Sequence, residues 1–269
     1  MEQIQQSLMP FRAQQAPSRL GRYLAAHGGV EGWFLPEAAA TWDALLERQR
    51  AEGVGGHILE IGVWHGKSAA MLGLHAEFGS ELLILVDECV GPDVCQASLG
   101  DAGVPWGEGI HHLQVPSEEL AALPLMQGGF QAFRWIHVSG ERTFGAVMGD
   151  LAIADRFLAK NGVVCVDDFF NRRYPQVREA VQRYVQEHSE QFSLFLCGFN
   201  KAYLARPHDV HGLQEYCAGS LVDDLESRGV ETMITKTSDP SGMNCLGLGP
   251  RVDGRRTMGT ESEPPEIRA

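Results

Sequence analysis

Residues Glu60-Ile61-Gly62-Val63-Trp64-His65-Gly66-Lys67-Ser68 close a short apolar run with a glycine turn and open an amphipathic segment. Glycine lets a ligand lie against the backbone, and the first amides of a helix attract negative charge. The glycine spacing is not the GxxxxGK[ST] of a P-loop. Nor is it GxGxxG, because Val63 and Trp64 fill positions where a pyrophosphate needs close approach. Roughly 20 residues on, Asp87-Glu88 ends the next apolar run, where an acid can take the hydroxyls of a ribose. Glu60 is itself an acid one residue from the end of an apolar strand, a costly place without a partner.

A glycine turn with a distant acid suits a nucleoside ligand that has no pyrophosphate, and S-adenosylmethionine (SAM) is one. Its carboxylate would sit on the turn and helix start, its ribose on Asp87 and its sulfonium near acids such as Glu60. A second constellation stands in Ile136-His137-Val138-Ser139-Gly140-Glu141-Arg142 and Val166-Asp167-Asp168-Phe169-Phe170. Adjacent carboxylates at a strand end repel each other, so they imply a metal, a basic partner or a raised pKa. Hard oxygen ligands of this kind suit Mg²⁺. Arg172 and Arg173, beside Tyr174, could neutralise the pair or bind an anionic acceptor group. His137, His65, His111 and His112 are the candidate bases; arginine is a poor one, since it stays protonated.

These groups need a sheet to hold them. Short apolar runs at Ile58–Ile61, Leu82–Val86, Ile110–Val115, Phe133–Val138 and Val163–Asp167 read as successive parallel strands. Between them the periodicity predicts helices at Lys67–Glu77, Asp93–Leu99, Ser117–Leu123, Thr143–Ala159 and Gln176–Glu190. Phe192–Cys197 and Ala202–Ala205, joined by Gly198-Phe199-Asn200-Lys201, read as an antiparallel pair. A helix starts at Leu35-Pro36-Glu37 and runs to about Arg50. His211–Arg228 reads as one helix, and Val230–Thr237 with Cys245–Leu248 as a hairpin across residues 238–242. The expected organisation is an N-terminal arm over 1–36, a SAM-binding domain over 37–206, a decoration over 207–250 and a disordered tail over 251–269.

The chain has 269 residues and a formal net charge of −13, which argues against nucleic acid or an acidic membrane as main partner. No apolar run is long enough to span a bilayer, and the first residues show no basic region followed by an apolar stretch. The six cysteines form no CxxC pair and no zinc spacing, so a reducing, cytoplasmic setting is expected.

The first segment resembles motif I of class I SAM-dependent methyltransferases, in the branch with the pattern E-I-G-x-x-x-G-x-S. That branch holds the catechol-type and macrocin-type small-molecule O-methyltransferases. The resemblance spans residues 30–206 and includes Gly32-Trp33-Phe34-Leu35-Pro36-Glu37 ahead of the first helix. It implies an α/β Rossmann-like fold with a mostly parallel seven-stranded sheet and helices on both faces. It also implies methyl transfer from SAM to a small acceptor, with oxygen the receiving atom. Glu60, Gly62, Trp64, Gly66 and Ser68 would surround the methionine part and Asp87 the ribose. Ser117 would lie beside the adenine, and Ser139 would stand with these cofactor residues.

Metal-dependent members of the branch carry I-H-I-D-G-x-H after the fourth strand and an acidic pair or Asp-Asn after the fifth. His137, Gly140, Asp167 and Asp168 match, which makes Asp167 and Asp168 the candidate metal ligands and Asp168, His137 and Arg142 the candidate catalytic residues. Ser139 departs from the pattern where the first metal-binding aspartate is expected, and Arg142 where a histidine or lysine base stands. Three readings stay open: a rearranged Mg²⁺ site; a metal-independent enzyme that orients its acceptor with Asp167, Asp168 and a histidine; or a catalytically silent SAM-fold binding subunit. A nicotinamide oxidoreductase fits poorly, because the turn lacks the middle glycine. A homo-oligomer is left open.

Overall fold

The computed structural model describes residues 17–127, 131–236, 245–252 and 254–258. Five parallel strands form its centre: β1 (His57–Ile61), β2 (Leu83–Val86), β3 (Ile110–Leu113), β4 (Phe133–Val138) and β5 (Leu158–Val166). They are apolar because both faces are covered. α1 (Arg19–His27), α2 (Pro36–Ala51), α3 (Lys67–His75) and α4 (Pro92–Asp101) pack on one face. α5 (Phe144–Phe157) and α6 (Pro175–Glu187) pack on the other. The sheet has ten strands in the order β10-β8-β9-β6-β7-β5-β4-β1-β2-β3. After β3 the chain crosses to the far side of β1, so strand order reverses between β1 and β4, where open α/β sheets bind their ligands.

The seven expected strands are β1–β5 with β6 (Ser193–Gly198) and β7 (Lys201–Ala205), the last antiparallel to both β5 and β6. The edge then continues beyond the expected seven. β9 (Leu246–Pro250) pairs with β6, β8 (Thr232–Lys236) runs antiparallel to β9, and β10 (Thr257–Met258) pairs with β8. The hairpin expected near 230–248 is therefore present as β8 and β9, while its connection, 237–244, lies outside the described residues. The tail expected from 251 holds β10, and 259–269 lie outside the described residues, as do 1–16 of the expected arm.

Other boundaries moved for local reasons. Ser117–Leu123 is not an α-helix: it winds as short 3₁₀ turns over Ser117–Ala122 and Pro124–Met126, hemmed in by Pro116 and Pro124, with Leu120 and Met126 its buried residues. The helix expected over His211–Arg228 is two, α7 (Pro207–Gly219) and α8 (Leu221–Ser227), broken at Ser220, whose φ of −120° is not helical. α5 stops at Phe157, so Leu158 and Ala159, inside the expected helix, open β5 instead.

α2 decides what lies behind the site. Ala38, Ala39 and Ala40 are small enough to let the helix approach the sheet closely. That brings Trp42 over the middle of β4, its ring 5.3 Å from Trp135 and 4.7 Å from the His137 ring. No helix among the described residues is long and apolar enough to cross a membrane, and all six cysteines are free.

Candidate functional site

At the carboxyl end of β1 the chain turns through Gly62 (φ +82°), Trp64 (φ +50°) and Gly66 (φ +80°) before entering α3. A Cβ on Gly62 would lie 2.2 Å from the Ser139 carbonyl oxygen, so the turn lies flush against the end of β4. Gly66 is the N-cap of α3 and offers no side chain, so the first amides of that helix are open to an anion.

Glu60 sits behind this turn with no exposed surface. Its Oε1 accepts from the Ser68 hydroxyl at 2.5 Å and lies 2.7 Å from Nδ1 of His137, its cross-strand neighbour on β4. Burial raises the Glu60 carboxyl to about 8 and pushes the His137 imidazole well below its ordinary value. A protonated Glu60 beside a neutral imidazole fits both shifts, with the carboxyl proton donated to Nδ1. Oε2 of Glu60 and Nε2 of His137 are buried without partners.

His137, expected as a catalytic residue, is therefore corrected. It is 1% exposed, lies under Trp42 and faces away from the crevice, because its place in β4 points it into the α2 layer. The His65 ring lies tilted against Trp64 with centres 4.9 Å apart and approaches Glu31 at 3.4 Å, while His111 and His112 sit in β3 at the sheet's edge.

Asp87, at the end of β2, has its carboxylate already occupied. Oδ2 accepts from the amides of Val63 and Trp64 at 3.0 and 2.8 Å, and Oδ1 from those of Cys89 and Val90, both at 2.9 Å. It clamps the glycine turn to its own loop. Glu88, one residue on, is exposed and has no partner among the described residues. Ser117 opens the 3₁₀ turn near the buried Asp150, whose carboxyl burial raises to about 6 while Ser117 lowers it in part.

Across the switch point lies a crevice lined by Ser139, Gly140, Glu141, Arg142, Asp167 and Asp168. The two aspartates are met by groups from three other segments. Lys201 places Nζ 2.7 Å from Asp167 Oδ1, and the Ser139 hydroxyl approaches Oδ2 at 3.4 Å. Asp168 accepts from Arg142 Nε at 2.9 Å, Asn171 at 2.8 Å and Asn200 at 3.0 Å, and these contacts hold its carboxyl below the usual range. Asp168 has φ +59°, a strained setting for a non-glycine residue that this web of contacts maintains. Arg172 and Arg173, read as able either to neutralise the pair or to bind an anionic acceptor group, are exposed and make no ion pair among the described residues. Lys201 and Arg142 meet it instead.

Sequence reasoning missed Lys201, Asn200 and Asn171. A signal existed: Lys201 opens the otherwise apolar run Lys-Ala-Tyr-Leu-Ala, where a lysine needs a partner. Phe199 (φ +47°) and Asn200 (φ +66°) form a two-residue hairpin turn, which brings both Asn200 and Lys201 to the crevice.

Large exposed apolar side chains gather around the same end of the sheet. Trp33 is 84% exposed, and Leu35, Trp64 and Phe170 about half. Trp33 adjoins Gly32, whose built Cβ lies 3.8 Å from the Trp64 ring. Phe170 donates its amide to Asn200 at 3.0 Å.

Comparison with known proteins bears on the fold that holds these residues. The profile of the Methyltransferase domain family matches residues 59–169. Among solved structures, that of the O-methyltransferase NovP superposes with a TM-score of 0.55 at 14% identity, covering 64% of this chain and 80% of that one. A putative O-methyltransferase from Klebsiella pneumoniae gives 0.51 at 16% identity, over 72% and 91%. Identities this low establish a shared fold. No curated protein matches the sequence.

Proposed function

We propose, for a chain whose residues 59–169 match the Methyltransferase domain family, that it moves the methyl group of SAM to an oxygen of a small molecule. The observation that carries the reading is the joining of two half-sites at one switch point. A glycine turn with an uncapped helix start lies directly against the Ser139 end of β4, which opens the acidic crevice. When bound, SAM supplies an electrophilic methyl on its sulfonium, and the chain's task is then positioning.

Gly62, Trp64, Gly66 and the first turn of α3 would seat the methionine carboxylate. Glu60 and Ser68, with the unpartnered Glu60 Oε2, stand behind the turn for the ammonium end. Glu88 offers the free carboxylate at the ribose position, because Asp87 is taken up by the turn. Ser117 would border the base. Ser139 and the Asp168–Arg142 pair orient the acceptor hydroxyl, with Asp168 a fixed charged hydrogen-bond acceptor rather than a strong base, since the contacts that hold it also lower its carboxyl. The Trp33, Trp64 and Phe170 rim suits an acceptor with a planar or apolar body, since exposed apolar side chains clustered at a cleft mark ligand grooves.

The donor set does not fit a divalent ion. Asp167 and Asp168 are already paired with Lys201 and Arg142, and Ser139 brings no charge. Calorimetry with S-adenosylhomocysteine (SAH), without added metal, tests the reading. Saturable one-site binding that is lost in Gly66→Val is expected, and a folded chain that binds none refutes it.

A further inference from the structure

We infer that two cations of the chain itself, Lys201 and Arg142, take the place of a divalent ion at the acidic pair closing β5; the catalytic meaning of this rests on the methyltransferase reading above. The charge is already balanced. Two carboxylates face one ammonium, 2.7 Å from Asp167 Oδ1, and one guanidinium, 2.9 Å from Asp168 Oδ2. The other oxygens are engaged too. Asp167 Oδ1 also accepts the Asp168 amide at 2.7 Å, and Asp168 Oδ1 accepts from both Asn171 and Asn200. Only Asp167 Oδ2, with the Ser139 hydroxyl at 3.4 Å, is loosely held. Mg²⁺ demands near-octahedral oxygens at roughly 2.0–2.1 Å, and one loosely held carboxylate oxygen with a neutral hydroxyl is a poor start for that shell.

Lys201 is built in rather than adventitious. It is 1% exposed, and its ammonium lies 4.8 Å from the Phe34 ring centre and 5.6 Å from that of Trp42. The Asp167 carboxylate on one side and the two aromatic faces on the other hold the amine end in place. Its strand, β7, is central in the sheet and held by β5 and β6, so the cation cannot swing away to admit another. An ammonium held in this way fixes Asp167 but presents no open coordination position to an acceptor oxygen. Orientation of the acceptor then falls to Arg142, which is partly exposed beside Tyr174.

Electron paramagnetic resonance of Mn²⁺ titrated into the full chain tests this. The wild type should leave the spectrum of the free aqueous ion unchanged up to millimolar Mn²⁺. The double variant Lys201→Met/Arg142→Met should acquire one bound Mn²⁺, lost again when Asp167→Asn is added. The inference is overturned if the wild type binds Mn²⁺ and Asp167→Asn abolishes that binding. A double variant that is folded by circular dichroism yet binds no Mn²⁺ overturns it equally. Should the double variant fail to fold, the wild-type titration decides alone. SAH calorimetry on the same samples separates the two readings: a wild type that ignores SAH and Mn²⁺ alike refutes the methyltransferase site and leaves the ion pairs standing.

Discussion

Asp87→Asn separates a clamp from a ribose ligand. The carboxylate accepts four backbone amides, two on each oxygen, at 2.8–3.0 Å. Asparagine keeps the shape but replaces one oxygen with an NH₂ group, so in either orientation two amides meet a donor instead of an acceptor. Hydrogen bonds to a charged group contribute roughly 1.5–3 kcal/mol each, so losing two costs about 3–6 kcal/mol. The Trp64 and Cys89 amides are exposed and can turn to water, which brings the figure to about 2–4 kcal/mol. At roughly 2–4 °C per kcal/mol for a domain of this size, Tm should fall by about 5–15 °C. Differential scanning calorimetry of both proteins without ligand, followed by SAH titration, reads the two effects separately. An unchanged Tm with SAH affinity lost would refute the clamp and restore Asp87 to the ribose.

Other perturbations reach different parts of the site. Gly62→Ala forces a Cβ to 2.2 Å from a backbone oxygen at φ +82°. The conformation alone costs roughly 1–2 kcal/mol and the overlap adds to it, so thermal melts should show a loss of about 3 kcal/mol or more. The raised Glu60 carboxyl holds its proton in the folded chain between its ordinary 4.5 and about 8, where the unfolded chain has released it. Below about 6.5 the His137 of the unfolded chain takes up a proton that the buried imidazole lacks, which offsets this. Stability should therefore fall only as pH rises from about 6.5 to about 8, by at most about 1.4 kcal/mol per pH unit, and level off above it. Urea titrations across the range should show this slope for the wild type and its absence in Glu60→Gln. Trp33→Ala should leave Tm within about 1–2 °C, since the ring is 84% exposed, yet weaken the binding of phenolic fragments seen by saturation-transfer NMR in the presence of SAH. Equal fragment binding would remove Trp33 from the acceptor groove.

Much of the architecture was legible because its signals are local. The apolar runs of β1 to β5, the proline opening α2 and the glycines at 62 and 66 each constrain a few neighbouring residues. The acids at the strand ends stood out because their chemistry conflicts with an apolar strand, whatever surrounds them. The β8–β9 hairpin showed in its own short runs, but its docking onto β6 and the two-residue β10 did not. A strand that short in a polar stretch carries little periodicity of its own, and pairing with β8 supplies what it lacks.

What the amino-acid order settled alone was where polar groups would meet the carboxyl end of a sheet; which group would answer which was decided in three dimensions. Glu60 and His137 are 77 residues apart and become partners only through the register of β1 on β4. Lys201 reaches Asp167 only because β7 inserts antiparallel beside β5 behind a two-residue turn. Burial of the Glu60–His137 pair, not residue type, sets its protonation, because desolvation depends on every layer packed above it. The packing of α2 thus removes His137 from the chemistry, and the same packing sets the Trp42 and Phe34 rings beside the Lys201 ammonium.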